Sequence, residues 1–233
     1  VFNTDGWGTQ AVWIYSQSSA PFLVDAGPTV LAATERFGEK PGRLDQVFIT
    51  HLHGDHIAGL PFLLLHGAFP DPRTRPPRVV GPEGTKERLD LLCRGCYPEI
   101  LAEGKLPFQI EMSEIPVASG SHEIGAVKFD TVPLEHHESS IGYRFRLPGA
   151  TIAVTGDTRW CEGLETLSEE TDLLVLECTS VEKTEVAHVS LEEPRDHDRM
   201  HRKAQRRFHA LGGHRPDRRL EALDEIGLRS LSR

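Results

Sequence analysis

The stretch that decides the fold is VFITHLHGDH, residues 47–56, in which three histidines and an aspartate directly follow an apolar run. The run at 47–49 is short and rich in β-branched and aromatic side chains, which is typical of a buried strand. His51 and His53 are two positions apart, so in extended backbone their side chains can point the same way. Gly54 then allows the chain to bend sharply. The pattern therefore predicts a strand that ends in a turn crowded with metal-binding groups.

Four such groups on one turn favour two metal ions over one. Two pairs placed in this way cannot all face one ion, so we expect His51 and His53 to bind one metal and Asp55 and His56 an adjacent one. Imidazole nitrogen and carboxylate oxygen are ligands that zinc accepts. The alternative, a polar surface turn with coincidental histidines, does not explain the H-x-H-x-D-H spacing. The turn is predicted to form the floor of a dinuclear metal site.

Strands and helices alternate along the rest of the chain, which predicts an α/β protein with both sheet faces covered. The predicted strands lie within 11–17, 20–27, 45–50, 78–84, 108–115, 126–136, 141–149, 151–157 and 173–179. The predicted helices lie within 28–37, 56–65 and 85–94. Residues 1–193 are predicted to form one domain that contains this turn. The Arg- and His-rich segment 194–233 is predicted to be an atypical, solvated end of that domain, without a strand.

Two motifs carry a resemblance to a known family. The H-x-H-x-D-H signature after a strand resembles that of the metallo-β-lactamase-fold hydrolases. The segment PLEHHESSIGYR, residues 133–144, is similar to the ribonuclease Z-like branch, in which P-L-E-H precedes G-Y-R. The resemblance implies an αββα sandwich of two mixed β-sheets flanked by helices. Because the chain opens at Val1 in a polar turn, we expect the family's first strand to be absent.

The resemblance also implies the remaining site residues. It selects His136, rather than its neighbour His137, as the third histidine ligand. It makes Asp157, in a T-G-D-T context, the carboxylate that bridges both metals, which is physically reasonable because two close cations repel strongly. It assigns His188 as the proton donor to the leaving group and Glu177 as the residue that orients it. The open alternatives are a capping or salt-bridging role for Glu177 and a helix-start role for His188.

The family's last metal ligand is a histidine that usually ends an apolar strand. The expected spacing falls on His209, and no strand-like pattern precedes it. His209 is therefore a candidate for the last ligand of the second metal on its spacing alone.

The implied chemistry is hydrolysis at two Zn²⁺ ions, with Mn²⁺ or Fe²⁺ as alternatives. A water bridging both metals would ionise near neutral pH, Asp55 would orient the resulting hydroxide, and His188 would protonate the leaving group. The transfer RNA enzymes of the branch carry a long arm before the bridging aspartate, and here only RFRLPGATIAV, residues 144–154, fills that interval. We therefore expect a phosphodiesterase of small-molecule or short nucleic-acid substrates. Alternatives are a lactamase, lactonase or thioesterase of the same fold, and a non-catalytic metal-binding relative.

Composition limits the partners. The chain has 233 residues and a formal net charge of −9, which argues against a surface built mainly for nucleic acid or anionic membrane. No apolar run approaches the roughly 20 residues of a membrane span, and no signal peptide is visible. The pair Cys93 and Cys96 lacks the second close pair of a structural zinc site, so all four cysteines are expected to be ordinary reduced thiols. A cytoplasmic homodimer is expected.

Overall fold

The computed structural model describes residues 8–16, 19–73, 75–183, 185–190 and 192–193, and the backbone of 208–211 and 228–230. Its contacts divide the chain into two compact units. The first unit takes its described residues from Val1–Tyr15, Ala20–Pro116 and Leu223–Arg233. The second takes its described residues from Ser16–Ser19 and Val117–Ala222. Each unit is built around one mixed β-sheet.

The sheet of the first unit has the order β12-β1-β2-β3-β4-β5 among the described residues. Its strands are β1 (Val12–Ile14), β2 (Phe22–Val24), β3 (Gln46–Phe48), β4 (Arg78–Pro82), β5 (Glu111–Ile115) and β12 (Leu228–Ser230). Strands β2 to β5 pair in parallel, whereas β1 is antiparallel to both of its neighbours. Every residue of β1, β2 and β3 is buried, as expected for strands covered on both faces.

The helices of the first unit follow the predicted order. They are α1 (Val30–Arg36), α2 (Gly54–Ile57), α3 (Leu60–Ala68) and α4 (Thr85–Cys96), with a 3₁₀ turn at Pro41–Arg43 and a π-helical turn at Pro98–Ala102. Leucines from α3 and α4, among them Leu60, Leu64 and Leu89, join one buried apolar cluster with Leu23 and Val79 from the strands. The burial of this cluster is what fixes the strand ends, and therefore the turn after β3, in place.

The sheet of the second unit has the order β11-β10-β9-β8-β7-β6 among the described residues. Its strands are β6 (Gly120–Ile124), β7 (Val127–Pro133), β8 (Ile141–Leu147), β9 (Ala150–Val154), β10 (Leu173–Glu177) and β11 (Phe208–Leu211). Strands β6 to β9 form an antiparallel meander, and β9, β10 and β11 are parallel. Helix α5 (Glu162–Ser168) packs against β7 and β8. Both β6 and α5 were absent from the sequence prediction.

The single helix predicted over 56–65 is wrong in its bounds, because the structure divides it. Helix α2 begins already at Gly54, so Asp55 and His56 lie on a helical turn and not in a loop. The break before α3 comes at Gly59, whose N–H donates to the carbonyl of Ala26 at 2.7 Å. A Cβ at Gly59 would lie 2.2 Å from the Gly27 carbonyl oxygen. This close approach holds the loop after β2 against the turn that carries the histidines.

The prediction that the segment after residue 193 contains no strand is also wrong. Strand β11 pairs in parallel with β10, with His209 opposite Val175, and β12 pairs with β1. The sequence Phe208–Leu211 has no β-branched residue, so its intrinsic pattern is weak. Hydrogen bonds to the buried strand β10 stabilise β11 although its own strand propensity is low, so tertiary context overrides local propensity here.

Within the described residues, no helix has the length and apolar character of a membrane span.

Candidate functional site

The first group of candidate ligands lies in the first unit, on the turn after β3. The rings of His51 and His53 lie edge to face, with His51 Nε2 at 3.1 Å from His53 Nδ1. The His56 ring centroid is 4.1 Å from that of His51, and His56 Nε2 is 3.7 Å from an Asp55 carboxylate oxygen. His51 and His56 are buried, whereas His53 and Asp55 are partly exposed. The turn brings together all four side chains that the sequence singled out there.

A fifth residue, Asp25, organises this group, and the sequence analysis missed it. Its buried carboxylate accepts hydrogen bonds from the Thr50 N–H at 2.8 Å, from the Thr50 hydroxyl at 2.9 Å and from His56 Nδ1 at 2.8 Å. Asp25 has a positive φ of 61°, which aspartate tolerates better than most residues. The signal was available in Val24-Asp25-Ala26-Gly27, where a carboxylate ends a buried strand just before a glycine.

These hydrogen bonds fix the tautomers of two histidines. Because His56 Nδ1–H donates to Asp25, the lone pair of that ring is on Nε2. The Thr50 hydroxyl donates to Asp25, so its oxygen accepts from His51 Nδ1–H at 3.2 Å, which again leaves the lone pair on Nε2. Carboxylate partners that hold a ligand histidine in this way are a general feature of metal sites. The donor set and its outer partners therefore fit a metal such as zinc.

The second group of candidate ligands lies in the second unit. His136, Asp157 and His188 each offer a ligand atom, and these atoms lie within 4.8 Å of one another. His136 Nε2 is 3.9 Å and His188 Nδ1 is 3.8 Å from the same Asp157 oxygen. The three residues come from loops that follow β7, β9 and β10. The arrangement can hold a cation, or can place an imidazole proton donor beside a metal-binding carboxylate.

Glu177 connects the loops of this second group. It is buried at the end of β10, where one carboxylate oxygen accepts from His188 Nδ1 at 2.9 Å, from the Val189 N–H at 3.1 Å and from the Thr158 N–H at 3.3 Å. The other oxygen accepts from the Thr179 hydroxyl at 3.0 Å. The hydrogen bond with Glu177 raises the pKa of His188 above its usual value, against the lowering effect of burial, and the nearby Asp157 charge adds to the rise. Glu177 is thus placed where an orienting residue would act.

The two adjacent histidines after β7 have different surroundings. His136 Nδ1 donates to the carbonyl of Ala187 at 2.9 Å, which ties His136 to the loop of His188 and leaves Nε2 as its lone-pair nitrogen. His137 is held within its own turn, because its Nδ1 lies 2.8 Å from the Ser139 hydroxyl and accepts from the Ser139 N–H at 3.2 Å. His136, and not His137, is the residue grouped with Asp157 and His188.

Two further features predicted from the sequence are the candidate ligand His209 and the four reduced cysteines. The backbone of His209 lies in β11, and its side chain is outside what the structure describes. All four cysteines are free, and none joins a metal-capable group within the described part of the chain. Burial raises the pKa of the Cys93 thiol to about 11, and that of Cys178 also to about 11. Such thiols are protonated at neutral pH and are poor nucleophiles and ligands.

Comparison with known proteins agrees with this architecture. Ribonuclease Z of Staphylococcus epidermidis is 26% identical over 214 residues, which cover 71% of this chain and 68% of that enzyme. The solved structure of the short form of human tRNase Z superposes with a TM-score of 0.70 at 22% identity and covers 90% of each chain. The metallo-β-lactamase fold protein YhfI of Bacillus subtilis gives a TM-score of 0.67 at 20% identity, over 94% of this chain and 85% of that one. At these identities the two structures establish the fold alone.

The sequence profile of the family described as "Anti-Pycsar protein Apyc1" matches residues 2–213, which is most of the chain. The match includes the H-x-H-x-D-H turn and the residues of the second group. The chain therefore belongs to the Anti-Pycsar protein Apyc1 family, and its fold is the metallo-β-lactamase fold.

Proposed function

We propose that this protein is a metal-dependent phosphodiesterase that acts on small-molecule or short nucleic-acid substrates. The observation that carries the proposal is the cluster of His136, Asp157 and His188, in which two imidazoles flank one carboxylate and a buried glutamate holds one of the imidazoles. A cluster with a purely structural role would not need the His188 imidazole to be held near Asp157, whose carboxylate can itself bind metal. The proposed ligands of two Zn²⁺ ions are His51, His53, Asp55, His56, His136, Asp157 and His209.

Bound zinc would supply a hydroxide nucleophile at neutral pH and neutralise charge on the phosphate. The remaining tasks belong to the chain. Asp25 keeps the Nε2 atoms of His51 and His56 as lone-pair donors, through the Thr50 hydroxyl in the first case and directly in the second. Asp55 is the carboxylate proposed to orient the nucleophile as well as to bind metal.

The proton for the leaving group is assigned to His188. The Glu177 carboxylate accepts from Nδ1, so a proton on Nε2 is available for transfer when the ring is charged. Since the pKa of His188 is raised by that hydrogen bond, the charged ring persists to higher pH than for a free histidine. A general acid of this kind is most effective when its pKa lies near the working pH.

The preference for small substrates rests on the connection between β8 and β9. These strands form a hairpin in which Leu147 pairs with Ala150, so Pro148 and Gly149 alone make the turn. Gly149 has a φ of 85°, as a tight hairpin turn requires. The interval between His136 and Asp157 therefore contains no arm that could reach along a folded RNA. The acidic net charge of −9 also disfavours a large polyanion.

A panel of esters tests the proposal. Zinc-loaded protein is assayed against bis-(p-nitrophenyl) phosphate, a dinucleotide, a lactone and a chromogenic β-lactam. We expect turnover of the two phosphodiesters and little of the others. Turnover of the lactone or lactam alone would replace the phosphodiesterase with another hydrolase of the same fold. Full metal occupancy with no turnover of any ester would indicate a non-catalytic metal-binding protein.

A further inference from the structure

Arg159 lies at the junction of two loops that carry candidate ligands. It follows Asp157 by two residues, and its N–H donates to the carbonyl of Glu135 at 3.0 Å. Glu135 directly precedes His136, and its own N–H donates to the Thr158 hydroxyl at 3.3 Å. These hydrogen bonds fix the backbone of Arg159 beside both ligand loops. Its side chain is exposed.

The other described lysines and arginines of the second unit are all paired with carboxylates. Lys128 Nζ lies 3.7 Å from Glu123 Oε2, and Lys183 Nζ lies 3.8 Å from Glu193 Oε1. Arg144 and Arg146 share the Asp130 carboxylate, at 3.1 Å and 2.6 Å.

Arg159 differs from these four. Within the part of the chain that the structure describes, it has no carboxylate within salt-bridge distance. On α5, Glu165 accepts a hydrogen bond from the Trp160 indole at 3.1 Å. The one described cation of this unit without a carboxylate partner is therefore the one next to the candidate ligands.

A phosphodiesterase needs such a group. The substrate phosphate is an anion, and it must approach a region crowded with carboxylates on a protein of net charge −9. A guanidinium offers two parallel N–H donors that match two phosphate oxygens, and it stays charged at any working pH. An arginine without a carboxylate partner does not have to break an ion pair before it binds the substrate.

We propose that Arg159 is the substrate-phosphate-binding residue, which contacts the non-bridging phosphate oxygens and sets the preference for an anionic ester. This rests on the proposed function only in taking a phosphodiester as the substrate. The affinity of the site for a phosphate anion is a separate property, and it can be measured without turnover.

The first test uses calorimetry at low ionic strength to measure the binding of inorganic phosphate to zinc-loaded protein. Arg159→Gln should weaken binding roughly 10- to 100-fold, the range expected when one charge-assisted hydrogen-bonding group is lost. The phosphate affinity of Arg159→Lys should fall between those of the wild type and Arg159→Gln, because lysine keeps the charge but lacks the paired donors. The matched control is Arg94→Gln on α4, where the same charge is removed from an exposed arginine bound to Asp90. It should bind phosphate as the wild type does.

Metal content measured on all four proteins should be equal. Equal phosphate affinity in the wild type and in Arg159→Gln would overturn the proposal, as would a wild type that binds no phosphate. A loss of zinc in Arg159→Gln would also overturn it, because Arg159 would then act on the metal centre and not on the substrate.

The second test is kinetic and uses bis-(p-nitrophenyl) phosphate. Arg159→Gln should raise KM more than it lowers kcat, and Arg159→Lys should recover part of the loss. A fall in kcat with KM unchanged would contradict a binding role. If the wild type hydrolyses no phosphodiester, the proposed function fails, while the phosphate titrations still decide whether Arg159 binds the anion.

Discussion

The two groups of candidate ligands are built in different ways. His51, His53, Asp55 and His56 come from one stretch of the chain, on the turn after β3 and the first turn of α2. His136, Asp157 and His188 come from three loops separated by whole strands, and only the sheet of the second unit brings them together. A contiguous group can be recognised from its spacing alone, whereas a dispersed group can be recognised only through a resemblance to a known family or once the fold is known.

Their supporting residues differ as well. In the first group one buried carboxylate, Asp25, fixes two candidate ligand histidines and would therefore act on metal affinity. In the second, the buried carboxylate of Glu177 holds the proposed proton donor His188 and the backbone around it. The comparison predicts that equivalent changes at the two carboxylates have different consequences.

Replacing Asp157 should have the largest effect. We expect Asp157→Ala to lose metal and to reduce kcat/KM by more than the ~10²–10⁴-fold that a general acid contributes, because two close cations would lose their shared anion. His209→Ala should cost less, since that residue is proposed to touch one metal. Metal analysis and kinetics on both variants make the comparison. Equal losses would show that the ligand on β11 matters as much as the bridging carboxylate.

His188→Ala should separate substrates by their leaving groups. A dinucleotide expels a basic alkoxide that needs a proton, so its hydrolysis should slow by ~10²–10⁴-fold. Bis-(p-nitrophenyl) phosphate expels a stable phenolate and should slow much less. Metal content should be retained. Equal losses on both substrates would make His188 a positioning residue, and a loss of metal would make it a ligand.

Asp25→Asn should weaken zinc binding by about 10- to 100-fold, the usual cost of losing an outer partner of a ligand histidine. Asparagine has a similar shape and also tolerates positive φ, so the backbone at this position is not the variable. Competition with a chelator of known affinity measures the change. Unchanged zinc affinity would show that Thr50 and His56 do not depend on this carboxylate.

Glu177→Gln should have the smallest effect, and one that depends on pH. Its amide oxygen can still accept from the backbone, but the negative charge that raises the pKa of His188 is gone. The rate depends on protonated His188, so activity falls as pH rises through its pKa. In the variant this fall should begin at lower pH, with a rate at acidic pH close to that of the wild type and zinc content unchanged. A high-pH limb in the wild-type position would contradict the assigned pair.

Much of this could be predicted from the sequence, for identifiable reasons. The spacing of His51 to His56 after an apolar run is a local pattern, and β3 and its turn appear where that pattern placed them. Asp25 was missed because its partners, Thr50 and His56, are distant in sequence and nothing in the local pattern connects them. Strand β11 was missed because its pairing with β10, and not its own composition, makes it a strand. Arg159 stands out only when the partners of the other cations are known.

The proposed function requires that metal bound by the candidate ligands supports hydrolysis of a phosphodiester. The most direct measurement is the rate of bis-(p-nitrophenyl) phosphate hydrolysis as zinc is titrated into chelator-treated protein. We expect no hydrolysis without metal, and a rate that rises with added zinc and saturates near two zinc ions per chain. A chelated protein as active as the untreated one, or no hydrolysis at any zinc content, would contradict it.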